Sequence, residues 1–138
     1  FYQSGDLFKS KKRNLKKFYE VLNSTDFKNY LFMLTGVKAF GGINCSGFVY
    51  YDTNYLLPHD DRLETRKLAY IIYLSKGFTK KDGGTLDFFK NNKIVKSIIP
   101  RYNSLVLFKV EVGKTIHQVS EVKSNKQRMT IAGWFNDK

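Results

Sequence analysis

Apolar side chains near the start of the chain recur with the period of an α-helix. The first set follows the spacing i, i+3, i+4, i+7 and comprises Leu15, Phe18, Tyr19 and Leu22. This spacing predicts an amphipathic helix over about residues 10–23. The second set repeats the spacing and comprises Phe27, Tyr30, Leu31 and Leu34. We predict a second helix there, with Thr25 or Asp26 as its N-cap and Gly36 as its C-terminal stop.

After Gly36 the pattern changes to short apolar runs that are separated by turn residues. The runs are rich in Val, Ile, Tyr, Phe and Leu, as β-strands are, and they cover residues 48–51, 68–74, 85–89, 94–99, 105–110, 115–119 and 129–135. Asp82, Gly83 and Gly84 separate two of these runs, and we expect a β-hairpin there. Two helices followed by about seven or eight strands predict an α+β fold, in which the helices buttress one face of an antiparallel sandwich or barrel.

The length of the chain, 138 residues, matches one domain. No linker or repeat interrupts it, so we expect a single domain over 1–138, with the helical buttress at about 8–36 and the β core at about 42–136. No apolar run approaches the roughly 20 residues that a membrane-spanning helix needs, and no membrane partner is expected. Cys45 is the single cysteine and forms no intrachain disulfide, which favours an intracellular, cytoplasmic location, or a nuclear one in a eukaryotic cell.

The charge of the chain is strongly positive. Its 24 Lys and Arg residues against 12 Asp and Glu residues give a formal net charge of +12. The densest basic run is expected on the polar face of the first helix and comprises Lys9, Lys11, Lys12, Arg13, Lys16 and Lys17. Such a field favours polyanions, so a nucleic acid or a ribonucleoprotein is a candidate partner. The alternative is a solvated helix face without a specific partner.

Two histidines and an aspartate have the order of a metal-binding triad. His59 and Asp61 are two residues apart and point to the same side of an extended chain, so both can bind one ion while Asp60 faces away. His117 follows in a predicted strand. An H-x-D pair before a distant histidine is the ligand order of the two-histidine, one-carboxylate facial triad, which suits non-haem Fe(II). The alternative is a surface turn, because H-x-D is common by chance.

The position of Arg128 bears on the choice between these alternatives. If a tight turn at 123–126 joins the strands of His117 and Arg128, the two side chains share a face, about 13 Å apart along the backbone. A small dicarboxylate then fits between them, with one end on the metal and its far carboxylate on the guanidinium. If the turn is one residue longer or shorter, Arg128 faces the opposite side and is a rim arginine.

A series of sequence blocks lies between residues 48 and 135 in a fixed order. The blocks include Leu56-Leu57-Pro58-His59-Asp60-Asp61, Gly83-Gly84-Thr85-Leu86, Asn103-Ser104-Leu105-Val106, His117-Gln118-Val119-Ser120-Glu121-Val122 and Gly133-Trp134-Phe135. Together they resemble the 2-oxoglutarate- and Fe(II)-dependent prolyl hydroxylases that modify a small-subunit ribosomal protein. The resemblance implies a double-stranded β-helix, the cupin-like jelly roll, with His59, Asp61 and His117 as iron ligands.

The resemblance also assigns the cosubstrate site. It implies that Arg128 binds the far carboxylate of 2-oxoglutarate and that Tyr50 and Tyr73 lie near this cosubstrate. Packing in the core is the alternative role for the two tyrosines.

The activity that the resemblance implies is hydroxylation of a protein prolyl residue, with a ribosomal protein as the candidate substrate. Dioxygen is the oxidant, succinate and CO2 are the co-products, and ascorbate is a candidate reductant. Pro58, Phe78 and Asn136 depart from residues that are frequent in the family, and we expect them to border the substrate cleft. Three alternatives stay open: a 2-oxoglutarate oxygenase that acts on a nucleic acid, a non-catalytic cupin-like metal-binding module, and a basic RNA-binding domain. The module needs the triad but not Arg128.

Overall fold

The computed structural model describes residues 1–138 and contains two α-helices and nine β-strands. The helices are α1, Arg13–Leu22, and α2, Thr25–Thr35. The strands are β1 Tyr2–Asp6, β2 Ile43–Tyr50, β3 Leu56–His59, β4 Arg66–Tyr73, β5 Leu86–Lys90, β6 Lys93–Ile98, β7 Ser104–Lys109, β8 His117–Val119 and β9 Arg128–Asn136. Every predicted apolar run overlaps one of these strands. Neither helix has the length and apolar character needed to cross a membrane.

Two antiparallel sheets make up the β body. The larger sheet has the strand order β1-β2-β9-β4-β7, and the smaller sheet has the order β3-β8-β5-β6. The two sheets lie face to face. The ring centroid of Phe108 on β7 is 5.1 Å from that of Phe88 on β5 and 4.8 Å from that of His117 on β8. The antiparallel sandwich that the apolar pattern predicts is therefore present.

Side chains of both helices belong to the main apolar cluster of the protein. Leu22 of α1 and Leu31 of α2 are buried in this cluster together with residues of β2, β4 and β9. The ring of Phe27 lies 6.1 Å from that of Phe135 on β9. Removal of such apolar surface from water is the main favourable term that attaches an amphipathic helix to a sheet.

The N-cap of α2 is Ser24, and the predicted caps Thr25 and Asp26 are wrong. Ser24 has an extended backbone (φ −68°, ψ 150°), and its hydroxyl accepts a hydrogen bond from the N–H of Phe27 at 3.2 Å. Thr25 is already the first helical residue, so its side chain does not reach the free N–H groups in this way. Gly36 follows the helix with φ 69°, and its predicted role as the stop is confirmed.

The segment before α1 is ordered and only partly helical. It consists of β1 and a short 3-10 turn, Leu7–Lys9. Because α1 begins at Arg13, Lys9, Lys11 and Lys12 precede the helix and do not lie on its polar face as predicted. The basic run is therefore distributed over the turn, the connecting segment and the first turns of the helix.

The pattern of apolar runs does not predict two of the strands, β1 and β3. All but the last residue of β1 are exposed, and β3 contains Pro58, which has no N–H to donate to a neighbouring strand. Both are edge strands, β1 of the larger sheet and β3 of the smaller one. Edge strands tolerate polar residues and proline, so periodicity does not identify them.

The segment Asp82-Gly83-Gly84 is not the predicted hairpin. The flanking strands β4 and β5 belong to different sheets, and a 3-10 turn, Lys80–Asp82, precedes Gly83. Gly83 has φ 67°, and a Cβ atom at this position would lie 2.0 Å from the carbonyl oxygen of Glu121. Glycine is required here because two chain segments approach each other closely, not because the chain reverses in a hairpin.

The tight turn considered at 123–126 does not join β8 and β9 into a hairpin. β8 lies in the smaller sheet between β3 and β5, whereas β9 lies in the larger sheet between β2 and β4. His117 is paired with His59 and Phe88 and with no residue of β9. Residues 120–127 cross from one sheet to the other. A two-residue period shows which side chains share a face, but it does not show which strand lies alongside.

Candidate active site

A cavity of about 290 Å³ lies between the two sheets, and residues of both sheets form its wall. Five of the predicted site residues line it, namely His59, Asp61, His117, Tyr50 and Arg128. The sixth, Tyr73, is fully buried beside Arg128. Much of the remaining wall is apolar and includes Leu86, Phe108 and Val119. The structure thus brings together the six residues that the sequence assigns to the metal and to the cosubstrate.

His59, Asp61 and His117 direct one ligand atom each to a common point. Nε2 of His59 lies 3.3 Å from one carboxylate oxygen of Asp61, and Nε2 of His117 lies 3.4 Å from the other. The possible ligand atoms all lie within 4.8 Å of one another. The side chains of Asp61 and His117 are 7 % and 6 % exposed, whereas that of His59 is 34 % exposed. Two imidazoles and one carboxylate converging in this way fit a divalent metal ion.

Backbone carbonyl groups determine which nitrogen of each histidine carries the proton. Nδ1 of His59 lies 2.8 Å from the carbonyl oxygen of Leu57, and Nδ1 of His117 lies 2.8 Å from that of Thr115. Since a carbonyl oxygen only accepts, each Nδ1 donates. Each Nε2 then keeps its lone pair for a metal ion and is held in orientation by the bond at the other nitrogen.

Asp61 reaches the histidines by a turn of the chain and not by the alternation of a strand. β3 ends at His59, and Asp61 has a positive φ of 54°. The predicted extended backbone across these residues is therefore wrong. Asp60 does face away, as expected: its carboxylate accepts hydrogen bonds from Arg62 and from the N–H of Gly113, both at 2.9 Å.

The contacts within the triad shift the pKa of each member. The hydrogen bond with Asp61 raises the pKa of His59 above its usual value, although burial acts in the opposite direction. Burial lowers the pKa of His117. Burial alone would raise the pKa of Asp61, but the interactions with His59, with the nearby indole of Trp134 and with His117 outweigh it and lower the pKa. The carboxylate is therefore ionised at neutral pH and suited to bind a cation.

Arg128, the first residue of β9, places a buried positive charge in the wall that the larger sheet contributes. The residue is 2 % exposed, its Nε donates a hydrogen bond to the carbonyl oxygen of Gly84 at 2.7 Å, and its Nη2 is buried without a partner. Burial lowers its pKa, but a guanidinium stays protonated. A buried charge without a counter-ion costs several kcal/mol, roughly 3–5 when a partner is lost. The position therefore fits a carboxylate supplied by a ligand.

Tyr50 and Tyr73 flank the guanidinium of Arg128. Their ring centroids lie 5.2 and 5.3 Å from its Cζ. Burial raises the pKa of Tyr50 to about 12 and also raises that of Tyr73, so both phenols keep their protons. Oη of Tyr73 is buried without a hydrogen-bond partner. Core packing explains why the rings are buried, but it does not explain this unpaired donor beside Arg128.

Arg66 and Trp134 are further candidate site residues. Arginine and tryptophan are not usual metal ligands, so a search of the sequence for metal-ligand spacing does not find them. Both line the cavity together with Asp61. Cζ of Arg66 lies 3.4 Å from the centroid of the Trp134 ring, a cation–π contact. Nε of Arg66 and Nε1 of Trp134 are buried and have no hydrogen-bond partner. Two unpaired donors next to the triad are suited to bind oxygen atoms of a second ligand.

Pro58, Phe78 and Asn136 do not line this cavity, although the sequence suggested that they border the substrate cleft. Pro58 is exposed on β3. Phe78 is buried close to Gly84. Asn136 donates a hydrogen bond to the carbonyl oxygen of Gly42 at 2.8 Å. The departures from the family pattern at these positions therefore lie outside the wall of this cavity.

Comparison with protein families and curated proteins gives consistent relatives. Residues 45–136 match the sequence profile of the 2OG-Fe(II) oxygenase superfamily. The chain is 41 % identical over 143 residues to "Prolyl 3-hydroxylase OGFOD1" of Xenopus laevis, with 99 % of this chain and 28 % of the relative covered. It is 37 % identical over 137 residues to "Prolyl 3,4-dihydroxylase OGFOD1" of Ostreococcus tauri, with 91 % of this chain and 27 % of the relative covered. The chain thus spans between a quarter and a third of these curated proteins.

Solved structures show the same fold. A prolyl-4-hydroxylase of Pseudomonas putida matches with a TM-score of 0.74 and 19 % identity, over 94 % of this chain and 69 % of that chain. A prolyl hydroxylase of Trichoplax adhaerens, in complex with a peptide fragment of a hypoxia-inducible factor, matches with a TM-score of 0.71 and 18 % identity, over 98 % and 62 %. At such low identity the likeness concerns the fold. The predicted jelly roll is confirmed.

Proposed function

The chain belongs to the 2OG-Fe(II) oxygenase superfamily, and from this premise we propose that it hydroxylates a prolyl residue of a protein. The reaction consumes dioxygen and 2-oxoglutarate and releases succinate and CO2. The names of the relatives at 37 and 41 % identity support a prolyl substrate.

The observation that carries this proposal is the position of Arg128 relative to the triad. The metal-ligand set and a buried guanidinium with a free donor line one cavity from different sheets. A metal-binding module needs only the triad, whereas 2-oxoglutarate has a chelating keto acid end and a second carboxylate that must also be bound. A guanidinium fork binds such a carboxylate through two parallel hydrogen bonds. The arrangement therefore favours a dioxygenase over a non-catalytic module.

We assign the residues of the cavity to separate roles. Nε2 of His59, Nε2 of His117 and the carboxylate of Asp61 would hold Fe(II), and Arg128 with Tyr73 would hold the far carboxylate of 2-oxoglutarate. Iron and 2-oxoglutarate together supply the oxidising power that transfers one oxygen atom of dioxygen to a C–H bond. The apolar wall formed by Leu86, Phe108 and Val119 keeps water away from the reacting groups.

The unpaired donors of Arg66 and Trp134 suit a prolyl segment. An X-Pro peptide bond has no N–H, so a proline-containing segment offers carbonyl oxygens and needs donors from the enzyme. Nε of Arg66 and Nε1 of Trp134 are such donors, and both lie in the wall that also contains Asp61. We therefore place the substrate peptide on this side of the cavity.

The remaining expectations concern the setting of the enzyme. We propose that residues 1–138 form one domain in which α1 and α2 buttress the larger sheet. The substrate is a ribosomal protein within an intracellular ribonucleoprotein, and the basic run before and within α1 assists docking to it. Its members Lys9, Lys11, Lys12, Arg13, Lys16 and Lys17 are exposed. Support for docking is the net charge of +12, which attracts polyanions over long distances.

Incubation of the protein with Fe(II), 2-oxoglutarate and proline-containing peptides from ribosomal proteins tests the proposal. We expect mass spectrometry to find one added oxygen atom on a prolyl residue, together with succinate. Arg128→Ala is the matched control, and it should lose succinate formation while it keeps metal binding. Oxygen found on a nucleic-acid base instead of a peptide would favour the nucleic-acid oxygenase. Metal binding without succinate under all conditions would favour the non-catalytic module.

A further inference from the structure

The N-terminal edge of the larger sheet contributes two side chains to the cavity that have no role so far. β1 pairs with β2 in such a way that Gln3 lies opposite Phe48. Gln3 and Phe1, which stands two residues before it in the chain, line the cavity together with Tyr50 and Arg128. The β1 edge thus forms part of the wall on the side of the cavity that holds the buried charge.

Phe1 stacks on the ring of Tyr50. The two ring centroids are 4.5 Å apart with an interplanar angle of 13°, whereas Phe1 and Phe48 are 6.2 Å apart at 45°. Tyr50 is in turn the cross-strand partner of Arg128, with its ring centroid 5.2 Å from Cζ. Phe1 is therefore one ring away from the guanidinium. Because Phe1 is 44 % exposed, its ring lies between Tyr50 and the solvent.

Two side-chain contacts anchor β1 in the register that carries Phe1 to this position. The N–H of Gly47 donates to Oγ of Ser4 at 2.8 Å, and the N–H of Cys45 donates to a carboxylate oxygen of Asp6 at 3.1 Å. Both bonds join β1 to β2 at points beyond the paired residue Gln3. The ordered strand β1 thus holds the adjacent residue Phe1 in its stacking position.

We propose that Phe1 is a positioning residue for 2-oxoglutarate: by stacking on Tyr50 it closes the Arg128 side of the cavity to water and strengthens binding of the far carboxylate. This inference rests on the proposed function, because it takes Arg128 to bind that carboxylate. It adds that the aromatic side chain next to the edge strand β1, which is neither charged nor a metal ligand, helps to set the affinity for the cosubstrate.

Two physical effects support this role. The attraction between a guanidinium and a carboxylate becomes stronger as water is excluded, because the effective dielectric constant falls. The stacked ring of Phe1 also limits the orientations of Tyr50, which contacts the guanidinium. Salt screens an exposed ion pair but has little effect on a buried one. Loss of the Phe1 ring should therefore weaken 2-oxoglutarate binding and make it sensitive to salt.

The neighbouring residue Tyr2 provides a matched control. Its side chain alternates to the other side of the strand, where it is 70 % exposed and contacts Tyr51 edge-on at 5.9 Å. Tyr2 is not part of the cavity wall. Tyr2→Ala therefore removes an aromatic ring from the same edge without opening the cavity, and Phe1→Tyr restores the ring at the stacking position.

Calorimetric titration of 2-oxoglutarate into the Mn(II)-loaded protein, at low and high salt, tests the proposal without turnover. The same residues should precede position 1 in every variant, and thermal unfolding should be recorded for each. We expect Phe1→Ala to raise the dissociation constant for 2-oxoglutarate about fivefold, because one aromatic contact is lost. In this variant the dissociation constant should rise further as the salt concentration increases. Phe1→Leu should change it in the same direction, and wild type, Phe1→Tyr and Tyr2→Ala should agree.

Three results would overturn the inference. If the Phe1→Ala and Phe1→Leu variants bind 2-oxoglutarate as tightly as wild type at both salt concentrations, the Phe1 ring has no role in binding. Equal weakening in Tyr2→Ala and Phe1→Ala would show that β1 contributes only to folding. A wild-type protein that binds Mn(II) but no 2-oxoglutarate would refute the proposed function itself, and the inference with it.

Discussion

Arg128 and Tyr50 are direct cross-strand partners in the larger sheet, and the tyrosine ring centroid lies 5.2 Å from the guanidinium carbon. Gly84, in the segment before β5, leaves room for the Arg128 side chain, because a Cβ atom at this position would lie only 3.0 Å from Cδ of Arg128. The carbonyl oxygen of Gly84 takes the Nε hydrogen bond, and Nη2 has no partner within the protein. The charge is therefore held in place before an anion arrives, which lowers the ordering cost of binding.

Replacing Arg128 by Lys should weaken 2-oxoglutarate binding strongly although the positive charge is kept. An ammonium is a point charge and cannot form the two parallel hydrogen bonds of a guanidinium, and it would lose the Nε bond to Gly84. We expect the dissociation constant to rise about 100-fold, equivalent to about 3 kcal/mol. The single tryptophan, Trp134, lines the same cavity and its fluorescence can follow the titration. Metal affinity should not change, and a Lys variant with wild-type 2-oxoglutarate affinity would contradict the assigned role.

Asp61 and Asp60 should differ sharply in their effect on metal binding. Asp61→Ala removes the carboxylate that lies between the two imidazoles, so Mn(II) affinity should fall by about 100-fold or more. Asp60→Ala removes only the contacts with Arg62 and Gly113, so affinity should stay within about twofold of wild type. Equilibrium titration with Mn(II) measures both. The reverse order of effects would mean that Asp60 turns toward the cavity and that the ligand assignment is wrong.

Metal affinity should decrease as the pH falls, because each histidine must lose its proton to bind. The contact with Asp61 raises the pKa of His59, so protons compete there at a higher pH than at an ordinary histidine, whose pKa is about 6.5. Burial lowers the pKa of His117, so this residue stays neutral to a lower pH. We expect constant Mn(II) affinity above the pKa of His59 and a loss of about tenfold per pH unit below it. Affinity that stays constant down to about pH 5 would contradict this ligand set.

Gly83→Ala should destabilise the fold much more than Gly113→Ala. Both glycines have positive φ, 67° and 71°, but a Cβ at Gly83 would lie 2.0 Å from the carbonyl oxygen of Glu121, whereas Gly113 has no atom within 4 Å. Gly113→Ala should cost about 1 kcal/mol for the backbone conformation alone. Gly83→Ala adds a backbone collision, and we expect a total above about 3 kcal/mol. Urea unfolding of the two variants compares these costs, and equal values would show that the close approach at Gly83 relaxes freely.

Periodicity groups the side chains of β9 by face but does not identify its neighbours. Arg128, Thr130, Ala132 and Trp134 alternate along the strand, and all four line the cavity. The two-residue period therefore groups these four residues, but it does not show that their face lines the cavity, because Ile131 and Phe135 on the other face are buried in the main apolar cluster. The neighbouring strands were not predictable either, because tertiary packing and not the local pattern chooses the pairing of β9 with β2 and β4.

The ligand types and their order were also predictable, but the local geometry at Asp61 was not. A carboxylate two residues after a histidine indicates a shared ligand site whichever backbone path joins them. The actual path includes a positive φ of 54° at Asp61, a conformation that aspartate adopts more readily than most residues but that no sequence period signals. Arg66 and Trp134 were missed because unpaired buried donors become visible only in three dimensions.

Under the proposed function, the division of the site between two sheets would link cosubstrate supply to the lifetime of the folded protein. His117 lies on β8 of the smaller sheet and Arg128 on β9 of the larger one, and residues 120–127 are the segment that joins them. Under the proposed function, a dicarboxylate bound at both ends is a non-covalent clamp between the halves of the sandwich. A ligand that binds only the folded state stabilises it by about 2.7 kcal/mol at a hundred times its dissociation constant. Proteolysis of the protein should then become slower as the concentration of 2-oxoglutarate rises.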